Sequence, residues 1–207
     1  MNKKGFTLFE ILLVLLIIFL IFSITLQIFN FSEYFKKSRD LKRISDMQIL
    51  NNTFNLYLNL IENPSLGPSN TSINEATPTI FISIPFDKED IRNITISSGS
   101  QTFYFSQVSS TEYFKNNGNG WLPVNFTILP NVPLSILPVD PINSYSQKLF
   151  YSYIFKRSSS TYEINTKLES KNYNYSGKED KTSTDDGDNI YLLEIGNDKT
   201  LMPNNLY

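Results

Sequence analysis

The sequence predicts an α+β chain, a long N-terminal α-helix packed on an antiparallel β-sheet. Three observations carry this expectation. Residues 11–31 read ILLVLLIIFLIFSITLQIFNF, with no charge and no proline. Leu41, Ile44, Met47, Leu50, Phe54, Tyr57 and Ile61 then recur at spacings of three and four, the apolar stripe of an amphipathic helix. Beyond residue 78, short runs of apolar residues are bounded by Gly, Pro, Asn and Ser, as strands are by turns.

The first run is long enough to cross a bilayer, since about 20 helical residues span its hydrocarbon core. A soluble helix rarely carries Leu, Ile and Phe on every face. Lys3 and Lys4 precede the run, and Glu33, Lys36, Lys37, Arg39, Asp40, Lys42 and Arg43 follow it. Both flanks are basic, so the positive-inside rule by itself assigns no direction. The run exceeds the core of an ordinary secretory signal, and no A-x-A-like cleavage site follows it. The helix is therefore expected to stay in the mature protein.

The amphipathic half exposes Arg39, Asp40, Lys42, Arg43, Asp46 and Asn51 in this reading. Joined to the apolar half, it makes one helix from Phe6 to Ile61, roughly 80 Å at 1.5 Å per residue. The alternative is two helices with a break near Asn30–Ser32. Asn63-Pro64 ends the pattern, because proline disfavours helix in the residue before it.

Residues 63–78 have linker composition. Strands are expected over 79–85, 92–97, 101–108 and 124–129, with a hairpin turn at Ser97-Ser98-Gly99-Ser100. Residues 148–157 and 161–170 alternate around Ser158-Ser159-Ser160 and predict a second hairpin. A last strand is expected at 190–196.

Composition narrows the function. The 207 residues contain no cysteine and no histidine and carry a net charge of −2. Cys or His catalysis, zinc sites built on either residue and disulfides are excluded. The near-neutral balance argues against a basic nucleic-acid binder. With 41% hydrophobic and 14% aromatic residues there is material for a core.

Glu10 sits at the start of the apolar run, in KKGFTLFEILLVLL. A carboxylate at membrane depth is costly without a partner. Read alone, Glu10 marks the headgroup boundary. The segment Lys4-Gly5-Phe6-Thr7-Leu8-Phe9-Glu10, followed by an unbroken apolar helix, resembles the processing signal of type IV prepilins and type II secretion pseudopilins. The strict motif covers residues 4–10, and the helical pattern extends the likeness to about residue 61. Residues 38–48 resemble the matching stretch of bacterial pseudopilins. Pro138-Val139-Asp140-Pro141 and the Tyr-rich hairpin after it resemble the C-terminal part of the major ones. The proline found within the helix of many relatives is missing before Pro64.

This resemblance implies a five-residue leader (1–5), a membrane and polymerisation helix (6–31), an amphipathic continuation (32–62) and an exported β-rich domain (63–207). It makes 63–134 an insertion of extra strands on the solvent-facing side. A prepilin peptidase cuts after Gly5 and N-methylates Phe6. Glu10, fifth in the mature chain, pairs with the Phe6 amine of a neighbour in the fibre. The implied partners are further copies of the chain, an inner-membrane platform and its ATPase. The N-terminus lies in the cytoplasm and the C-terminal domain outside the membrane, later in a periplasmic or extracellular fibre. Minor initiating subunits can lack the glutamate, so Glu10 points to a subunit of the fibre body. The other class of function is a single-pass anchor carrying an extracytoplasmic binding domain.

Major pseudopilins often hold calcium in a C-terminal loop, and Thr184-Asp185-Asp186-Gly187-Asp188-Asn189 is an acidic loop suited to a hard cation. Asp186 and Asp188 are the first expected ligands, with Asp185 beside them. A solvated loop is the plain alternative. The carboxylates Asp87, Glu89 and Asp90, and the pair Glu179 and Asp180, read as solvated faces; no enzymatic activity is expected. Trp121 reads as a core residue or a binding anchor. The sequons at Asn93 and Asn125 are expected by chance in a chain so rich in Asn and Ser.

Overall fold

The computed structural model describes residues 5–28, 31–68 and 78–207. The chain divides into two compact units, Met1–Phe35 and Lys36–Tyr207. In the first, helix α1 (Leu8–Ile28) contains the apolar run. Its side chains are exposed from Leu8 to Thr25 except for half-buried Ser23. One polar group inside the run looks after itself. The Thr25 hydroxyl donates to the Ile21 carbonyl, which satisfies it within the helix.

Helix α2 spans Phe31–Leu60. Two helices are thus assigned where one continuous helix was the first expectation. Residues 29 and 30, where the alternative put the break, lie outside the described residues, as do Lys3 and Lys4 of the expected leader and most of the expected 63–78 linker.

The apolar stripe marks most of the buried face of α2 within the second unit, but not its first turns. Met47, Leu50, Phe54 and Tyr57 are buried as expected, but Leu41 is 52% exposed. In its place Asp40, Arg43 and Asp46, assigned to the exposed face, are buried. The physical reason is mutual pairing, described below: charges enter a core only when partnered.

Six strands form one sheet: β1 (Thr79–Ile82), β2 (Thr95–Ser98), β3 (Gln101–Ser106), β4 (Tyr151–Lys156), β5 (Thr161–Lys167) and β6 (Leu192–Gly196). Their order is β2-β3-β1-β4-β5-β6. Both expected hairpins are present, β2–β3 and β4–β5. Gly99 supplies the left-handed conformation (φ +59°) in the first turn. The sheet is mostly antiparallel rather than wholly so. The β2–β3 hairpin returns β3 alongside β1 in the same direction, and that pair is parallel.

Residues 79–106, read as part of an insertion on the solvent-facing side, supply three of the six strands. Strand β1 lies inside the sheet between β3 and β4, with Ile80, Phe81 and Ile82 buried. The expected strand at 124–129 is not one. Asn125 caps a single 3-10 turn (Phe126–Ile128) by accepting from Thr127 N. Val124, Phe126 and Leu129 point into the core from this loop. The segment makes a single isolated bridge, Asn117 with Asn125, before the turn takes over, so the sequence alternation of Val124, Phe126 and Ile128 does not extend into a strand.

Both faces of the sheet are covered. Phe81, Tyr151, Tyr153, Phe155, Tyr162 and Ile164 pack with α2 and the 121–137 loop. Phe54 stacks on Tyr162 at 4.2 Å and meets Phe126 edge-on at 5.1 Å. On the opposite face Ile80, Ile82, Phe103, Phe105, Phe150 and Ile154 pack under Met202 and Leu206 of the C-terminal tail. Trp121 is a core residue, its Nε1 donating to the Pro138 carbonyl at 2.9 Å.

Candidate functional site

The motif residues Gly5, Phe6 and Glu10 lie at the start of α1. Thr7 and Glu10 form a reciprocal capping box: Glu10 N donates to Thr7 Oγ1 (3.3 Å), and Thr7 N and Oγ1 both donate to Glu10 Oε2 (2.8 and 3.0 Å). The arrangement satisfies free N–H groups at the helix start. It also gives the Glu10 carboxylate partners within its own chain. Phe6 is 82% exposed. A Cβ built on Gly5 meets nothing within 4 Å, and Gly5 has no left-handed φ. The fold of this chain therefore does not require glycine there.

The acidic loop has a second set of contacts. Asp185 is committed to the local backbone: Oδ1 accepts from Gly187 N (2.9 Å) and Oδ2 from Glu194 N (2.6 Å), while Lys199 Nζ donates to its carbonyl. Asp186 is exposed, with φ +63°. Asp188, also exposed, is the one of the three that joins further carboxylates. A carboxylate oxygen from each of Asp188, Glu163 and Glu194 lies within 4.8 Å of the others.

Glu163 and Glu194 were not singled out from the sequence. They sit on one face of the sheet, as diagonal neighbours on β5 and β6: Glu163 pairs with Gly196 and Asn165 with Glu194. Both are buried. Glu163 Oε2 accepts from Leu201 N (2.7 Å) and Met202 N (2.8 Å). Among the described residues Glu163 Oε1 and Asn165 Oδ1 accept no well-formed hydrogen bond, although the Glu163 side chain lies close enough to Asn165 and Glu194 to interact with both. Glu194 accepts from Asn165 Nδ2 (3.1 Å) and Asn189 N (3.0 Å). The close approach needs Gly187, where a Cβ would fall 1.8 Å from Glu194 Oε2.

Burial raises the Glu163 carboxyl and pushes Glu194 up to about 8, with Glu163 and Asp185 adding repulsion at Glu194. The folded chain thus holds a proton here at pH values where the unfolded chain, with an ordinary Glu near about 4.3, has lost it. The sign follows: this stability is present in acid and lost as the pH climbs toward the folded value. In chelator-treated buffer, the urea midpoint should fall between about pH 5 and 8, and Glu194→Gln should flatten that slope.

A third cluster is structural. Arg43 is fully buried and donates to Asp140 through Nε (2.5 Å) and Nη2 (2.9 Å), and through Nη1 to Asp40 (2.8 Å) and Glu169 (2.6 Å). Arg39 forks onto Glu169 at 2.7 and 2.8 Å. Asp40 further accepts from Glu169 N and Ser170 N, and Asp140 from Ile142 N and Asn143 N. Burial opposes charge at Glu169, yet Arg39 and Arg43 hold its carboxyl below the ordinary value. Asp46 meets Tyr151 Oη at 2.9 Å and the Lys42 ammonium.

The remaining candidates are held by hydrogen bonds and ion pairs, Asp90 and Asp180 within local turns and Asp87 and Glu89 to distant loops. Asp87 accepts from Ser110, Asp90 from Arg92, and Glu89 from Tyr145 N and Ser146 N. Asp180 accepts from Ser176, Thr182 and Ser183 N–H groups, and Glu179 faces Lys37. No family model, curated protein or solved structure matches the chain. Among the described residues, one helix, Leu8–Thr25 at its most apolar, is long and apolar enough to cross a membrane.

Proposed function

We propose that the chain is a structural subunit of a type IV pilus-like or type II secretion pseudopilus fibre. A prepilin peptidase cuts it after Gly5 and methylates Phe6. The subunit then waits in the membrane through α1, with its N-terminus cytoplasmic and its β-rich unit outside. An inner-membrane platform and its ATPase add it to the fibre, where α1 becomes part of the packed interior. The chain contributes no catalysis of its own.

The observation that carries the reading is the conjunction of Gly5, Phe6 and Glu10 with an uninterrupted apolar helix. Gly5 adds support, because no packing in this chain demands a glycine there. A backbone site free of side chain suits the close approach of a peptidase. The test is direct: Gly5→Leu should leave the chain membrane-inserted but five residues longer than the processed wild type, read by intact mass. Processing at the wild-type position despite the leucine would contradict the reading.

The capping box favours a second reading. It gives Glu10 a helix-starting role that needs no neighbour. The chain would then be a single-pass anchor for an extracytoplasmic binding domain, and would not polymerise. Changing Glu10 separates the two, as argued in the Discussion.

A further inference from the structure

We infer that the loop of residues 170–181, with the first turns of α2 in the Lys36–Tyr207 unit, is a docking surface for the anionic phospholipid headgroups of the membrane that α1 enters. The inference rests on α1 lying in a bilayer. It does not need the chain to be processed or to polymerise.

The loop is built onto the start of that unit. Ser170 N and Glu169 N donate to Asp40, and Arg39 forks onto Glu169. The loop closes on itself through Glu179 N to the Asn172 carbonyl (2.9 Å) and Lys181 N to the Tyr173 carbonyl (2.8 Å). The Lys37 ammonium lies over the Tyr173 ring at 5.2 Å and meets Glu179 at 3.5 Å. In sequence, Lys37 comes nine residues after Ile28, the last residue of α1.

Charge sets this surface apart. Residues 36–46 and 167–181 hold nine Lys and Arg against five Asp and Glu, in a chain with 18 basic and 20 acidic residues. Asp140, paired with Arg43, raises those acids only to six. The acids of the loop are engaged within the chain: Glu169 with Arg39 and Arg43, Glu179 with Lys37, and Asp180 with three backbone N–H groups. Lys171, Lys178 and Lys181 are exposed. Basic side chains clustered close to a membrane span attract anionic headgroups.

A second observation is independent of charge. Tyr175 and Tyr191 are 47% and 59% exposed and meet edge-on at 5.5 Å. Both line a shallow cleft with Lys171, Asn174, Ser176 and the Arg39-paired Glu169. A headgroup phosphate finds ammonium, amide and hydroxyl donors there. Tyrosine joins an apolar ring to a polar tip and concentrates where membrane meets water. Nucleic acid would use the same lysines, but only a membrane is tied to this part of the chain by its sequence. The basic far flank, which leaves the positive-inside rule without a direction, thereby has a role of its own.

The test is lysine footprinting of the full chain, reconstituted in vesicles of phosphatidylcholine alone or with about one third phosphatidylglycerol. A membrane-impermeant acylating reagent labels accessible amines, and mass spectrometry reads each site. Lys156, exposed at the end of β4, is the reference. Relative to it, labelling of Lys178 and Lys181 should fall by about fivefold or more in the anionic vesicles, and recover in about 1 M salt, where charges are screened within about 3 Å. Lys178→Gln should lower the docked-to-free ratio by about fivefold, read at Lys171 and Lys181. Tyr191→Ala should lower it too, at unchanged charge. Equal labelling of an inserted chain in both kinds of vesicle would overturn the surface. Protection by duplex DNA in detergent, with none from anionic vesicles, would overturn it in favour of nucleic acid. A chain that inserts in neither vesicle would overturn the membrane reading beneath it.

Discussion

Glu10→Gln should abolish fibre assembly as completely as Glu10→Ala, with both variants still inserted and still cut after Gly5. The two substitutions remove different things. Glutamine keeps the capping box, because its side-chain oxygen can accept from Thr7 as the carboxylate does. Alanine removes the glutamate half of the box and leaves Thr7 Oγ1 to accept from the residue-10 N–H. Only the charge is lost in both. In the fibre reading that charge meets the new Phe6 ammonium of a neighbour, and a buried charge left without its partner costs about 3–5 kcal/mol, about 150-fold to several-thousand-fold in an equilibrium. The loss recurs at every subunit added. In the anchor reading Glu10 is only a cap, so glutamine should behave as wild type. The measurement is the yield of sheared surface fibres against membrane-retained subunit, for wild type and the two variants side by side.

Arg43→Ala should be the most damaging single change in the Lys36–Tyr207 unit, lowering its stability by about 3–5 kcal/mol. The guanidinium answers three carboxylates, two of them on distant segments at residues 140 and 169. Removing it leaves Asp140 buried without its ion-pair partner and Asp40 with only the weaker attraction of Arg39. Their backbone N–H donors remain but do not neutralise them. Arg43→Lys should recover only part of the loss, because an ammonium cannot fork onto Asp140 and reach Asp40 and Glu169 as well. Urea unfolding followed by Trp121 fluorescence reads this out, since that residue is buried in the same core. A loss of less than about 1 kcal/mol for Arg43→Ala, the worth of an exposed pair, would show that the network does not hold α2 on the sheet.

The same network shows where sequence reading stops. Periodicity placed α2 and chose Met47, Leu50, Phe54 and Tyr57 correctly, because those residues meet an apolar surface. One turn earlier the rule failed. Asp40, Arg43 and Asp46 look like a solvated face until their partners are known, and Asp140 lies 97 residues beyond Arg43. Strands β1, β3, β4 and β5 were legible because their alternation and their turns agree. The parallel pairing of β1 with β3 was not, since no local signal states which strand a hairpin will dock beside. Residues 124–129 have the alternation of a strand, but Asn125 spends its side chain on a turn.

The expectation for Gly5, Phe6 and Glu10 rests on a motif that is local and sequential, so it could be stated from the sequence alone. Glu163 and Glu194 were missed, although each sits in the middle of a strand otherwise read as apolar on alternate positions. Glu163 falls in the polar phase of Tyr162-Glu163-Ile164-Asn165, so alternation turns it outward, and its burial becomes readable only once the C-terminal tail is known to cover that face.

Processing after Gly5 is the claim on which the proposed function turns, and intact mass with N-terminal sequencing of protein from its own membranes tests it most directly. A mature chain beginning at N-methylated Phe6 is the predicted result. A membrane-inserted chain still beginning at Met1 would contradict the account and leave α1 as an anchor alone.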